Sequence, residues 1–303
     1  MKKPSLLISV LNYNNFNSTK KCVDSLIEHI REEEIFIIDN NSPDNSFIKL
    51  KNTYKTLKVI KSIVNGGYAS GHKIAVDYAI DNNFDLIWIL NNDLTVRKNT
   101  LTELLLAYKK IGLGLYGSVT LKSENPDIIN FGGGDTDDIN QPFEYNNYED
   151  WTLKKYRSKK GLRKVQSIEG SSFLIPIPII TKYGFMREDF FMYGEDTDYC
   201  YKLKKYGVNS YIIPNSIVIH KGAESLKKTK YLEMYYRRRN FLYFQKEHYN
   251  YSIIKQIRFN YGLISIIKFF IKNLIKRTSK KNLYYLNMGN IHALINKRGE
   301  YKD

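Results

Sequence analysis

Cysteine is nearly absent: Cys22 and Cys200 are the only two in 303 residues. Two cysteines build no disulfide framework, so a small cross-linked scaffold is excluded and a reducing compartment is expected. Their spacing is no metal motif. Long apolar runs are missing too. No stretch reaches the roughly 18 uninterrupted apolar residues of a membrane-spanning helix. The opening "MKKPSLLISVLN" (1–12) has too short an apolar run for a secretory leader, so none is expected. No internal repeat is visible. Wholesale disorder is excluded by the 43% hydrophobic content, which allows a sizeable core. The length suits one large α/β domain, alone or with a smaller appendage.

Acidic residues are scarce in one region only. Residues 221–303 hold 19 Lys and Arg against 5 Asp and Glu, a net of +14 out of +16 for the chain, which leaves +2 for the first 220 residues. The expected organisation is a near-neutral body, residues 1–225, and a basic helical region, residues 226–303. Such asymmetry points to an anionic partner surface, membrane or nucleic acid.

Along the body, apolar runs alternate with helical periodicity. "SLLISVLNYN" (5–14) reads as a buried strand, followed by a helix capped by Ser18 or Thr19 with Cys22, Val23, Leu26, Ile27 and Ile30 on one face. "EIFIIDNNS" (34–42) and "LKVIKSIVNGGYASG" (57–71) give a second and a third strand, the latter ending in a glycine-rich turn. A helix is expected from about His72 to Asp81, then a strand in "FDLIWILNND" (84–93) and a helix over 100–112 stopped by Gly112. Residues 113–165 read as irregular, with a loop or insertion around "NFGGGDTDDINQP". Apolar order returns over 167–184. A helix then runs to about Tyr206 and one or two strands end at His220. This alternation predicts a Rossmann-like, mostly parallel sheet with helices on both faces. Ligands gather at the carboxyl ends of such strands. Asn12-Tyr13-Asn14, Asp39-Asn40-Asn41 and Asn91-Asn92-Asp93 all fall there. Polar residues also end strands simply because loops are polar.

"FFMYGEDTDYCYKL" (190–203) places Glu195, Asp196 and Asp198 at the start of a helix. Acids there favour the helix dipole by roughly 0.3–1 kcal/mol, which is one reading of them. The other is chemical. Asp93 at a strand end and His220 at a later one offer an oxygen and an imidazole to a divalent cation, Mn2+ or Mg2+. One more carboxylate serves as general base toward an attacking hydroxyl. Taken singly, Asp93 also reads as a turn aspartate and His220 as a satisfied strand-end histidine.

The motifs "SVLNYNN", "IIDNNS", "NGGYASG", "ILNND", "EGSSFLI", "FFMYGEDTDYCYKLKKYG" and "IHKG", in that order over about residues 4–245, resemble glycosyltransferase family 2. That family comprises inverting, nucleotide-sugar-dependent enzymes with a GT-A fold. "LNND" and "YYRRRNFLYF" look most like a rhamnosyltransferase-like subgroup that builds bacterial surface polysaccharides. The resemblance implies roles. Asp39 would read the nucleobase or ribose, with Asn12, Asn41, Asn65, Gly66, Gly67, Gly71 and Asn92 also on the nucleotide. Asp93 and His220 would hold the cation, Asp196 would be the base, and Glu195 and Asp198 would support it. Gly170, Ser171, Trp151, Phe191 and Tyr193 would meet the acceptor; for Phe190, core packing is the stronger reading. The implied donor is dTDP-rhamnose, or else UDP-hexose or UDP-galactofuranose. The implied acceptor is a glycan, free or linked to polyprenyl diphosphate, at the cytoplasmic face of the plasma membrane.

One carboxylate of the family's common Asp-x-Asp is missing from Asn91-Asn92-Asp93, which weakens cation affinity in principle. Arg237 to Arg239 would hold the diphosphate or form a solvated or membrane-facing cluster. Lys268, Lys272 and Lys276 form a stripe opposite Ile267, Phe270, Ile271 and Leu274, the pattern of a helix lying on an anionic membrane or packed on the body. An oligomer contact at the aromatic C-terminus is also open. Two further readings are a basic, non-catalytic membrane- or nucleic-acid-binding protein and a nucleotidyltransferase. The near-neutral first 220 residues weigh against the former, so no nucleic-acid partner is expected. The "GEDTD" block weighs against the latter.

Overall fold

The computed structural model describes residues 3–30, 35–135, 148–158, 162–221, 230–260 and 280–302. In chain order the body runs β1 (Leu6–Asn12), α1 (Phe16–Ile27), β2 (Ile35–Asp39), α2 (Ser46–Thr53), β3 (Lys58–Lys61), α3 (Gly67–Asp81), β4 (Leu86–Asn91), β5 (Leu94–Val96) and α4 (Thr100–Ile111). It continues with β6 (Leu115–Lys122), β7 (Ile129–Phe131), α5 (Leu153–Ser158), β8 (Arg163–Val165), β9 (Ser172–Pro176), α6 (Ile177–Tyr183), α7 (Glu195–Lys204) and β10 (Ser210–His220). Three helices follow: α8 (Lys230–Tyr249), α9 (Ile253–Asn260) and α10 (Lys280–Leu294).

The strands form one α/β sheet in the order β3-β2-β1-β4-β9-β6-β10-β5, with β7 on β6 and β8 on β10. β3, β2, β1 and β4 are mutually parallel, and so are β6 and β10. β9 runs antiparallel between β4 and β6. This direction matters for the site. The start of β9 lies beside the end of β4, with Leu90 opposite Ser172. β6 and β10 point the same way as β4, so His220 reaches the same edge, where it faces Leu94. The ends of β1, β2, β4 and β10 and the start of β9 therefore share one rim, as expected at the carboxyl edge of such a sheet.

Alternate residues of the strands enter two cores. Leu7, Ile87 and Ile89 pack on one face with α3 and α7, while Ile8, Val10, Trp88 and Leu90 pack on the other with α1 and α4. Helices cover both faces.

Local differences from the sequence expectation have physical causes. α1 is capped by Asn15, whose side chain accepts from the Ser18 amide at 3.2 Å, not by Ser18 or Thr19. α3 starts at Gly67, before the expected His72, because Gly67 takes φ +85° and lets the helix begin inside the turn. β6, inside the supposedly irregular 113–165, is a buried central strand. Its Gly117, Ser118 and Thr120 interrupt the apolar run, and their hydroxyls bond within the sheet, as in Ser118 to Ser172 and Ser216 at 2.8 Å each.

The last helices are not a loose appendage. α8 lies along residues 187–201 and packs tightly on α10. Tyr236 of α8 stacks on Phe191, Tyr243 stacks on Phe190, and Phe244 meets Tyr201 edge-on. The expected boundary at 225/226 and the lysine stripe at 268, 272 and 276 both lie outside the described residues. Among the described residues no helix is long and apolar enough to cross a membrane.

Candidate functional site

The rim residues are joined by an unbroken path of contacts. Asp39, at the end of β2, accepts from Asn12 Nδ2 at 2.7 Å and from the Ser42 amide at 2.9 Å. Asn12 Oδ1 accepts from the Thr19 hydroxyl at 2.6 Å, and Asn92 Nδ2 donates to that hydroxyl at 2.8 Å. The next residue, Asp93, stands 3.1 Å from His220 Nε2. His220 Nδ1 faces Glu169 at 3.8 Å. Glu169 in turn accepts from the Ser171 hydroxyl at 2.8 Å. The following amide, Gly170, donates to Asp196 Oδ2 at 2.7 Å. Asp39, Asp93 and Asp196 thus belong to one rim.

Asp196 sits in the first turn of α7, where its second oxygen accepts from the Thr197 amide at 2.6 Å. Burial raises its carboxyl; the amides of Gly170 and Thr197 oppose this, and the balance leaves it above the ordinary value. The neighbouring Glu195 is pushed up to about 8 by burial and by the charges of Asp196 and Asp198. Its Oε2 is buried without a hydrogen-bond partner. Burial alone would lower His220, but the Asp93 hydrogen bond and the Glu169 and Asp93 charges win and push it up to about 9. Burial would raise the Asp93 carboxyl, yet His220 and Lys221 hold it below its usual range.

Not every expected role has the geometry to match. Asp39 and Asn12 are fully buried, and both Asp39 oxygens already take protein donors, so here they brace the β1 and β2 ends. Asn41 is exposed at φ +57°. The space saved at Gly67 and Gly71 is filled by the protein itself. A Cβ at Gly67 would meet the Phe191 carbonyl at 2.0 Å, and one at Gly71 would meet Leu11 at 2.5 Å. Asn65 accepts from Asn40 Nδ2 at 2.9 Å and from the Gly67 amide at 3.1 Å, which shapes the glycine turn. A Cβ at Gly66 would meet Ser70, its Oγ at 2.3 Å and its Cβ at 2.6 Å.

The acceptor set is also scattered. Gly170 and Ser171 lie on the rim beside Asp196. Phe191 is 7% exposed and stacked on Tyr236, so little ring is left to face an acceptor. Tyr193 lies under Arg237. Trp151 packs edge-on against Tyr148, with Lys155 over its ring. Asp198 faces α8 instead of Asp196: it is buried and pairs with His248 at 2.8 Å and Arg187 at 3.6 Å. Arg239 is fully buried and donates to the Phe190 and Gly299 carbonyls at 2.8 and 2.6 Å, so it is neither a diphosphate ligand nor a membrane contact. Of the three arginines, Arg237 is the one whose charge Glu195 and Asp196 feel.

Sequence reasoning missed Glu169 and Tyr68, although both stand inside quoted motifs. The Tyr68 hydroxyl donates to the Gly170 carbonyl and its amide to the Phe191 carbonyl at 2.8 Å. Asn40, Ser42 and Asn240 also stand inside quoted motifs but received no role, Thr19 was read only as a helix cap, and His248 carried no local signal.

A mixed α/β sheet with a carboxylate- and amide-lined rim is the architecture of GT-A glycosyltransferases. The solved structure of GalNAc-T7 with UDP, GalNAc and Mn2+ superposes with a TM-score of 0.59 at 19% identity, covering 72% of this chain and 44% of that one. The mannosyltransferase PcManGT from Pyrobaculum calidifontis, with GDP-Man and Mn2+, gives 0.57 at 11% identity, covering 97% and 87%. S. aureus TarS with UDP-GlcNAc gives 0.57 at 12% identity, covering 95% and 81%. These likenesses establish the fold. The sequence profile of Glycosyl transferase family 2 matches residues 7–167, more than half of the chain, and the chain belongs to that family. A low-salt glycan biosynthesis hexosyltransferase, Agl10 of Haloferax volcanii, is 24% identical over 206 residues, 67% of this chain. The chain spans 63% of that relative's length.

Proposed function

We propose that the protein transfers a sugar, with inversion, from a nucleoside-diphosphate donor to a glycan or polyprenyl-diphosphate-linked acceptor. The observation that carries this reading is the contact path from Asp39 through Asp93 to Asp196. It gathers a general base, an oxygen and imidazole pair and the glycine turn around one rim. The acceptor hydroxyl gives its proton to Asp196 and attacks the anomeric carbon. The bond from that carbon to the diphosphate oxygen breaks, and the nucleoside diphosphate leaves. Gly170 and Thr197 hold Asp196 in place for that proton, and Arg237 adds positive charge nearby.

Among the described residues no three His, Cys, Asp or Glu side chains are grouped to hold a metal. The pair Asp93 and His220 nevertheless fits a divalent cation. It offers one oxygen and, once an ion displaces the imidazole proton shared with Asp93, one imidazole nitrogen, and His220 Nδ1 is buried without a hydrogen bond while it faces Glu169. Asp93 and His220 would hold the ion, Mn2+ or Mg2+. Bound there, it supplies charge neutralisation for the leaving diphosphate.

Structures similar in fold hold GDP-Man and UDP-GlcNAc, which supports a nucleoside-diphosphate sugar as donor; dTDP-rhamnose, UDP-hexose and UDP-galactofuranose are the candidates to assay. Contact with an anionic membrane surface is supported by the net +14 of residues 221–303; a role in bacterial surface polysaccharide synthesis at the cytoplasmic face rests on the motif resemblance alone. The test is turnover of a nucleotide-sugar panel, with wild type and Asp196→Asn, with and without Mn2+. Asp196→Asn is expected to lose transfer by about 10²–10⁴-fold while donor affinity holds. Wild-type transfer by the variant would refute the base assignment.

A further inference from the structure

We propose that Asn240, on α8, is a positioning residue of the transfer reaction: its carboxamide holds the left-handed loop that aims Asp196. This rests on the role given to Asp196 above.

The segment entering α7 is an unusual piece of backbone. Phe191, Tyr193 and Gly194 all have positive φ, at 66°, 68° and 90°. Two of the three carry bulky aromatic side chains, which disfavour that region. Such a loop persists only where its surroundings hold it. Asn240 provides the hold. Its Nδ2 donates to the carbonyls of Phe190 at 3.1 Å, Met192 at 2.9 Å and Tyr193 at 2.8 Å. An amide nitrogen has two hydrogens, so one is shared between two carbonyls. Asn240 is fully buried, and its Oδ1 accepts from Arg239 Nε at 3.0 Å, which fixes which end of the amide faces the loop. Arg239 reinforces the same point through the Phe190 carbonyl. The Phe191 carbonyl, left over, takes the Tyr68 amide.

Every carbonyl from Phe190 to Tyr193 is thereby occupied, and Glu195 and Asp196 follow immediately. A shift of this loop moves the first turn of α7 and loosens the Asp196 contact with the Gly170 amide. A misplacement of about 1 Å costs on the order of 10²-fold in rate. The donor-side groups stand elsewhere, Asp93 in the turn between β4 and β5 and His220 at the end of β10, and neither bonds to this loop.

The test compares Asn240→Asp and Asn240→Ala with Leu242→Ala. Asp keeps the shape of Asn but sets a carboxylate against three carbonyls. Leu242 is buried in the same helix against Phe190 and Tyr243, and contacts none of the loop carbonyls through hydrogen bonds. Both Asn240 variants are expected to lose kcat by on the order of 100-fold with donor KM nearly unchanged. The acidic limb of their kcat/KM profile is expected to move to higher pH, because Asp196 loses stabilising amide contact. Leu242→Ala is expected to lower the melting temperature while kcat and the pH profile hold. Unchanged kcat in Asn240→Asp overturns the proposal, and so does an equal kcat loss in Leu242→Ala. Hydrogen exchange over residues 190–197 judges the loop without turnover. Faster exchange in Asn240→Ala supports the clamp, and unchanged exchange overturns it even if no donor is turned over by wild type, which would instead refute the proposed function.

Discussion

At the scale of single residues, the site sets two adjacent carboxyls side by side, both raised above their ordinary values, chiefly by burial. Glu195, pushed up to about 8 from an ordinary 4.5, carries its proton at neutral pH. Its raised value favours folding with the proton on. That stabilisation is full below pH 4.5 and is lost as pH rises through about 8. Glu195→Gln copies the protonated form. It is expected to keep kcat within about threefold of wild type near pH 7, since only uncharged hydrogen bonding changes. Its melting temperature is expected to stay flat between pH 5 and 8, where wild type declines; parallel thermal scans over pH check this. The shared rim of Asp93, Asp196 and His220 was legible in the sequence because each lies at or beside the end of an element that an apolar pattern marks. Tyr68 and Asn240 were not. Their function is to satisfy carbonyls about a hundred and about fifty residues away in the chain, which no local pattern records.

At the scale of elements, glycine placement decides how α3 meets α7. Gly67 holds φ +85° against the Phe191 carbonyl. Gly67→Ala is therefore expected to destabilise by at least about 1–3 kcal/mol, read as a lowered urea midpoint, and to slow transfer by displacing the loop before Asp196. Gly66→Ala would set its Cβ 2.6 Å from the Ser70 Cβ, which no side-chain rotation moves, and is expected to lower that midpoint as well. The strand and helix order of the first half was readable because period-two and 3.6-residue patterns stand out in apolar runs. β6 was hidden by buried Ser118 and Thr120; the helical character of the C-terminal region was expected, but the inward face of α8 was not readable, because Arg239, Asn240 and Gln245 are buried beside its aromatics. Apolar periodicity is silent where hydrogen bonds do the packing.

At the scale of the whole molecule, part of the basic C-terminal charge is spent inside the fold. Arg187 and Arg298 both bind Asp189 and Glu247, which joins the segment before α7 to α8 and to the residues after α10. Burial would raise Asp189, but the two guanidiniums outweigh it and hold its carboxyl down at about 2. The stabilisation is present above the ordinary 3.8 and is lost as pH falls through about 2. Asp189→Asn is expected to be less stable at pH 7 and to show a flatter stability curve between pH 4 and 2; urea unfolding at stepped pH measures both. Exposure of about a third of Asp189 makes the effect sensitive to salt. The fold class and the rim were legible from the first 220 residues. The C-terminal region was not, because net charge reports composition and is blind to which arginines face inward. Gly299, accepting from Arg239 and donating to the Asp189 carbonyl, carries one more consequence. A ribosome delivers the Asp196 segment long before it delivers the residues that brace it. A chain cut short ahead of α10 would hold the Asp196 segment without this brace and is expected to be inert in a transfer assay.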